Sequence, residues 1–210
     1  MEEFERDLAL LEAVLNVGLD ERLRDSLGRL KRRLIQLRRD NIIKINHSVM
    51  ELVCARFLLL KGYEVDVERQ LAGSLVCDLY ATRENEVMIV EIETGFVPPE
   101  NALDPLAYYE ARIASKISRY CANSNRFALG SPPHHILNIP RIFLIPPEER
   151  SIESMAELKE KCDRYYRNPP IELNGIRSGF LNAVYVINVD ESKVGEFNPP
   201  DYSAKYPFLI

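Results

Sequence analysis

Residues 75–93 read LVCDLYATRENEVMIVEIE, and this stretch decides the fold. Two nearly continuous apolar runs flank the polar segment 83–86, which predicts two central β-strands joined by a four-residue loop. Such a loop places Asp78 directly opposite Glu91 in an antiparallel hairpin. Because strand side chains alternate between faces with a period of two, both carboxylates then lie on the same face of the sheet.

Two opposed carboxylates in a half-buried hairpin repel each other unless a proton or a cation lies between them. Mg²⁺ binds oxygen ligands and often uses one or two carboxylates. The hairpin is therefore predicted to hold Asp78, Glu91 and Glu93 as a divalent-metal site. The alternative is that these acids lie solvated at strand ends. A loop one residue shorter or longer would also send Asp78 and Glu91 to opposite faces.

The surrounding sequence predicts an α/β domain. An apolar helix over 47–61 carries Glu51, and a half-buried strand follows over 63–69. A helix begins at the N-capping pair Asp104-Pro105 and runs to about residue 122. Further elements are predicted as a short strand at Arg141–Ile145, a helix over about 151–166 and a strand over 183–189.

The first 41 residues are different in character. Leucines recur at heptad-like spacing over 3–16 and 20–40, which predicts a helical hairpin that packs on the α/β domain or dimerises with a second copy. We therefore expect three regions: the hairpin over 1–41, the α/β domain over 42–195 and a C-terminal tail over 196–210. The second helix is basic, so it is either a solvated helix or a phosphate-binding arm built on Arg32, Arg33, Arg38 and Arg39.

Composition limits the class of protein. The chain has 210 residues and a formal net charge of −5, which argues against a protein that coats nucleic acid over its whole surface. No apolar run approaches the roughly 18 residues needed to span a bilayer, and the N-terminus is acidic, unlike a signal peptide. We expect a cytoplasmic protein without a membrane partner, with its four cysteines reduced.

The order of these elements resembles the PD-(D/E)XK nuclease superfamily over about residues 47–130. It is most similar to the archaeal Holliday-junction resolvase branch and its restriction-endonuclease-like relatives. The resemblance implies an α/β fold with a restriction-endonuclease-like mixed central sheet flanked by helices. It also implies that Asp78 and Glu91 bind Mg²⁺, for which Mn²⁺ can substitute, and that Glu51 supports the metal shell.

Two positions depart from that family's motif. Cys77 replaces a proline, and Glu93 replaces the lysine that polarises the attacking water. Lys116 is the candidate substitute for this lysine, because it lies on the following helix in a stripe with Arg112 and Arg119. We expect Glu93 to be a second metal ligand or a general base, and Arg112 and Arg119 to contact nucleic acid. The alternative is that the stripe is a solvated helix face.

Three functional hypotheses follow. The first is a metal-dependent nuclease that hydrolyses phosphodiester bonds in nucleic acid, with DNA favoured, and works as a homodimer. The second is a nuclease-like fold that has lost catalysis and serves as a DNA-binding or assembly module. The third is an α/β domain whose hairpin acids are unrelated to any metal.

Overall fold

The computed structural model describes residues 2–43 and 45–205. These residues form seven α-helices and six β-strands. The helices are α1 (Glu2–Leu15), α2 (Glu21–Arg39), α3 (Ile45–Leu60), α4 (Pro105–Tyr120), α5 (Ile152–Asp163), α6 (Leu173–Ser178) and α7 (Pro199–Ala204). The strands are β1 (Glu64–Gln70), β2 (Val76–Arg83), β3 (Glu86–Ile92), β4 (Arg126–Ser131), β5 (Ala183–Asn188) and β6 (Lys193–Phe197).

The six strands form one mixed sheet in sequence order. β1, β2 and β3 are antiparallel neighbours, β3, β4 and β5 run parallel, and β6 returns antiparallel to β5. Parallel neighbours need a crossover connection, and α4 provides it between β3 and β4. The predicted mixed α/β fold with an N-terminal helical hairpin is confirmed.

The hairpin register predicted from the sequence is also confirmed. Thr82 pairs with Val87, as a four-residue loop requires. Arg83 and Glu86 extend the pairing by one step, so the connection itself is only two residues long, with Glu84 at a φ of 54°. The shorter loop leaves the register unchanged, because the extra pair lies at the end of the same ladder.

One face of the sheet is covered by α1, α2 and α3, which share an apolar core with it. Leu8, Leu27 and Leu34 are completely buried and belong to the same cluster as Val67 and Ile92 of the sheet. The leucine seams of the first two helices are therefore used within the chain. They are not free to form a coiled coil with a second copy, so the dimer predicted from them loses this support.

The other face is covered by α4, α5, α6 and α7. Ile117 of α4, Phe127 of β4 and Leu158 of α5 are buried in this second cluster. Tyr202 of α7 is also part of it, and its hydroxyl oxygen accepts a hydrogen bond from the Leu137 amide at 3.0 Å. The sheet thus lies between two helical layers.

Two sequence predictions differ from the structure. The strand predicted at Arg141–Ile145 is a short 3₁₀ helix over Arg141–Leu144, and the fourth strand is Arg126–Ser131 instead. Prolines at 140, 146 and 147 flank the apolar residues 142–145, and proline supplies no amide to a strand ladder. The predicted start of the tail at residue 196 falls inside β6, and α7 continues the domain to Ala204. Residues 206–210 of that tail lie outside the described residues.

In the parts of the chain that the structure describes, no helix has both the length and the apolar character needed to cross a bilayer.

The packing of the N-terminal hairpin gives a stability prediction. Leu34→Ala removes a side chain with no exposed surface from the core shared by α2 and the sheet. We expect it to lower the free energy of unfolding by about 2–5 kcal/mol in chemical denaturation. The matched control is Leu10→Ala on α1, where the side chain is 62% exposed and the expected change is within about 0.5 kcal/mol. Equal, small effects of both substitutions would contradict the shared core.

Candidate active site

The hairpin ladder ends at the pair Leu79–Val90, and the next residues on each strand are Asp78 and Glu91. Here carboxylates replace backbone pairing. Asp78 Oδ2 accepts a hydrogen bond from the Ile92 amide at 2.5 Å, and Glu91 Oε1 accepts one from the Asp78 amide at 3.1 Å. Each acid therefore binds the backbone of the opposite strand, which holds both side chains at the point where β2 and β3 separate.

The ammonium group of Lys116 lies among the acids of this hairpin. Lys116 Nζ is 2.9 Å from Glu91 Oε2, 2.8 Å from Glu93 Oε1 and 3.9 Å from Asp78 Oδ2. It also donates a hydrogen bond to the Ile92 carbonyl at 3.2 Å. Lys116 comes from α4, whose N-terminus is capped by Asp104 as the sequence predicts. A lysine from the following helix is thus brought to the three hairpin acids.

Arg112 lies one turn before Lys116 on α4 and binds the outer side of Glu93. Its Nε donates to Glu93 Oε2 at 2.6 Å, and its Nη1 donates to the Tyr108 hydroxyl at 3.1 Å. The Glu93 side chain is only 2% exposed and lies between the two cations. Burial opposes its ionisation, but Lys116 and Arg112 outweigh burial and hold the pKa of Glu93 below its ordinary value.

Glu51 reaches the same region from α3. The residue has no exposed surface, and neither of its carboxyl oxygens has a hydrogen-bond partner among the described residues. Burial raises its pKa well above the ordinary value, and the negative charges of Asp78, Glu68 and Glu91 raise it further. Burial therefore favours the protonated form of Glu51 in the folded protein over the form it takes in the unfolded chain.

Glu68 is a fifth acid, which reasoning from the sequence missed. In the β1–β2 register it stands opposite Asp78, between the pairs Val67–Leu79 and Arg69–Cys77, and its backbone has a φ of 47°. Burial raises the pKa of Glu68 to about 7, with Asp78 adding to the effect. The sequence carries a signal for it, because the strand over 63–69 alternates acids with apolar residues. Only the register of this strand against β2 shows that Glu68 faces Asp78.

The hairpin acids are not all ionised together. The pKa of Glu91 is raised to about 8, chiefly by burial and next by the Asp78 charge, while Lys116 opposes both. The pKa of Lys116 is well above its ordinary value, because its three carboxylate neighbours outweigh burial.

His47, at the start of α3, was not predicted as part of this site. Burial lowers its pKa, although Asp78 acts against burial. The site holds more carboxyl groups than cations.

The donor atoms of the site can be compared with what the expected Mg²⁺ requires. In residues 2–43 and 45–205, no group of three or more His, Cys, Asp or Glu side chains is already arranged to hold a metal ion. Lys116 explains this arrangement, since its ammonium group occupies the space among Asp78, Glu91 and Glu93. The donors themselves fit a hard cation, being carboxylate oxygens with two unpartnered oxygens on Glu51 nearby. A cation bound by Asp78 and Glu91 would require Lys116 to withdraw from Glu91.

The remaining member of the predicted α4 stripe does not touch the acids. Arg119 Nη2 donates to the Pro169 carbonyl at 2.6 Å, and its guanidinium group faces the Tyr166 ring at 5.4 Å from the centroid. It nevertheless shares one wall of a cavity of about 210 Å³ with Arg112 and Lys116. The three cations of the stripe therefore follow one surface, with Arg119 at the far end from the hairpin.

Most of the predicted arginine arm on α2 binds the chain itself. Arg33 donates to the Val67 and Glu68 carbonyls at 2.8 and 3.1 Å, Arg38 donates to a backbone carbonyl before α3, and Arg39 forms an ion pair with Glu5. Arg32 is exposed. The α2 stripe is thus largely occupied in holding α2 to its neighbours, with Arg32 the member left facing solvent.

Comparisons with known proteins do not identify a family for this chain. No protein-family model matches the chain, and no curated protein matches it. Among solved structures, the chain has a distant likeness to a CdiA-CT/CdiI toxin and immunity complex from Burkholderia pseudomallei, with 17% identity and a TM-score of 0.30. The match covers 72% of this chain and 84% of that one. A likeness this distant assigns neither a fold nor an activity.

The buried carboxyl group of Glu51 gives a pH prediction. Its raised pKa means that, above the ordinary carboxyl pKa of about 4.5, the unfolded chain loses a proton that the folded protein keeps. The contribution of Glu51 to the free energy of unfolding therefore falls as pH rises. Glu51→Gln removes this penalty, so we expect the variant to gain stability over the wild type by up to about 1.4 kcal/mol per pH unit above about pH 5.

The measurement is urea denaturation of both proteins across the range from about pH 5 to about pH 8. Glu157→Gln on the exposed face of α5 is the matched control and should show no pH-dependent difference from the wild type. A Glu51→Gln variant that parallels the wild type at every pH would contradict a raised pKa of Glu51 in the folded protein.

Proposed function

We propose that this chain is a metal-dependent nuclease that hydrolyses phosphodiester bonds in DNA. The observation that carries the proposal is the pair Asp78 and Glu91, held opposite each other at the end of the hairpin ladder in a site with more carboxyl groups than cations. Asp78 and Glu91 would hold Mg²⁺, or Mn²⁺ in its place, and Glu51 would support them from α3. When bound, the cation would activate water and neutralise charge on the phosphate.

Lys116 is proposed as the functional replacement for the motif lysine. The residue at the motif position is Glu93, and Lys116 Nζ lies 2.8 Å from its carboxylate. A lysine on α4 therefore delivers an ammonium group beside the motif strand. With its contact to Glu91 released, Lys116 is placed to donate a hydrogen bond to a phosphate oxygen or to the attacking water.

Glu93 is better suited to positioning than to base catalysis. A general base needs a pKa near the working pH, and the two cations hold the pKa of Glu93 below its ordinary value. Both of its oxygens are engaged, one by Lys116 and the other by Arg112. We therefore assign Glu93 to holding these two cations in place and not to accepting a proton.

The second candidate is a nuclease-like fold without catalysis that serves as a DNA-binding or assembly module. The ion pairs of Lys116 favour it, because they compensate Glu91 and Glu93 without any metal. Buried acids that are already paired by an internal ammonium group need no further cation for stability. Metal binding and cleavage therefore have to be measured separately.

The proposed homodimer needs a surface other than the buried leucine seams. α1 and the turn after it expose Leu10, Val14 and Val17, which are 62%, 57% and 70% exposed and recur at helical spacing. Sedimentation of the full chain, with Val14→Glu as the variant, tests whether this stripe joins two copies. A monomer at all concentrations would contradict the dimer.

Metal binding is tested by thermal unfolding with and without Mn²⁺. Asp78→Asn should raise the metal-free melting temperature by relieving repulsion, since the amide oxygen can still accept from the Ile92 amide. It should also abolish the Mn²⁺-induced stabilisation, which for the wild type reaches about 2.7 kcal/mol at 100 times the dissociation constant. Asp190→Asn, an exposed acid, is the control. An undiminished Mn²⁺ shift in Asp78→Asn would contradict the ligand assignment.

Cleavage is tested with the full chain on duplex, branched and single-stranded DNA in Mg²⁺ and Mn²⁺. We expect Asp78→Asn and Glu91→Gln to lose about 10²-fold or more in rate, and Lys116→Met to lose a similar amount, because each removes charge or metal contacts needed at the phosphate. DNA binding without cleavage would favour the inactive module. If the chain neither binds DNA nor is stabilised by a metal ion, the result would favour an α/β domain whose acids are purely structural.

A further inference from the structure

We infer that the cavity beside Lys116 is a phosphate-binding subsite centred on Arg119, which takes the backbone phosphate next to the one being cleaved. This inference rests on the proposed nuclease for the identity of the strand. The cavity has a volume of about 210 Å³, is lined by Arg112, Lys116 and Arg119, and has no Asp or Glu of the described residues in its wall. Its surroundings select an anion.

The cavity is too small for a drug-sized ligand, since such pockets usually measure about 300–1,000 Å³. Its size suits a phosphate group with part of its sugar. Ser115 and Tyr166 also line it, and these side chains add neutral polar groups and an aromatic ring to the cationic wall. A phosphodiester strand offers the complementary groups, which are a negative charge, oxygen acceptors for hydroxyl donors and an apolar sugar face.

Arg119 differs from the other two cations in its pairing. Lys116 and Arg112 are bound by Glu91 and Glu93, whereas no carboxylate in the described parts of the chain lies within ion-pair distance of Arg119. Its Nε is buried and has no hydrogen-bond partner there, and one Nη is held by the Pro169 carbonyl. Arg119 therefore carries a positive charge that no carboxylate of the described residues compensates, and its Nε has no hydrogen-bond acceptor among them.

The guanidinium group is also held in a fixed orientation. The Pro169 carbonyl fixes one edge, and the Tyr166 ring lies 5.4 Å away on the other side. A preoriented planar fork binds a phosphate with less loss of side-chain entropy than a free lysine does. Because residues three apart on a helix are neighbours, Arg119 stands one turn beyond Lys116 along α4. A strand whose scissile phosphate lies at Lys116 places an adjacent phosphate at Arg119.

The test is binding of a fluorescently labelled single-stranded DNA oligonucleotide to the full chain without metal, at several salt concentrations. Arg119→Gln should weaken binding roughly ten-fold at low salt and lower the slope of log affinity against log salt by about 0.7, the value for one lost phosphate contact on a single strand. Arg177→Gln, an exposed arginine on α6 with the same charge change, should leave affinity and slope unaltered.

Arg119→Lys keeps the positive charge but loses the planar set of guanidinium donors. We therefore expect the salt slope of this variant to match that of the wild type while its affinity for DNA falls. This variant carries the test if Arg119→Gln does not fold, and full affinity in Arg119→Lys would then overturn the inference. Affinity and slope of Arg119→Gln equal to those of Arg177→Gln would overturn it as well, and so would a wild type that binds no DNA.

Failure of this inference is distinguishable from failure of the nuclease proposal. If Arg119→Gln has a lower salt slope than the wild type, and the wild type never cleaves DNA in Mn²⁺, the result supports the subsite and contradicts the nuclease. Cleavage by the wild type together with unchanged binding of Arg119→Gln leaves the nuclease in place and removes the subsite.

Discussion

Burial of several carboxyl groups beside one ammonium group is the constraint on which the site depends. Glu91 and Glu93 are almost without exposed surface, and an ionised carboxylate at such depth is unfavourable unless it is paired or protonated. The protein uses both solutions. Lys116 compensates the acids on the α4 side of the sheet, and burial shifts Glu51 on the α3 side towards its protonated form by raising its pKa. The position of α4 is therefore fixed by charge as well as by apolar packing.

The sheet topology makes this compensation possible. β3 and β4 are parallel, so the chain must cross back over the sheet, and α4 lies over the face that carries Glu91 and Glu93. The Asp104 cap and the proline after it start α4, and Lys116 is then three turns along the helix. The end of the β2–β3 ladder opens the sheet just where the carboxylates converge. The same separation lets the charges of the hairpin reach Glu51 from the opposite layer.

The sequence predicts contacts between residues that are close along the chain better than contacts that depend on how separate strands pair. The opposition of Asp78 and Glu91 depends on strand periodicity and one short loop, so local reasoning was sufficient. Glu68 was missed because its position depends on a second register, across the turn between β1 and β2. The arginines of α2 have the composition of a nucleic-acid-binding arm, yet Arg33 and Arg39 bind the chain itself, and composition cannot distinguish these uses. β4 was missed because it contains small residues and no alternation that distinguishes it from a loop.

The ammonium group of Lys116 and a divalent cation compete for the same carboxylates, and this competition separates the two functional candidates. Because the pKa of Lys116 is raised, the lysine stays charged at physiological pH, so it yields to a metal by moving and not by losing its proton. A phosphate anion beside it offers an alternative partner for its charge. In a functional nuclease, substrate phosphate and metal would then bind with positive coupling, since each favours the arrangement in which Lys116 has left Glu91. In an inactive module, Lys116 would keep its contacts with Glu91 and Glu93 whether or not DNA is bound. The chemistry of the site therefore depends on which anion holds this one side chain.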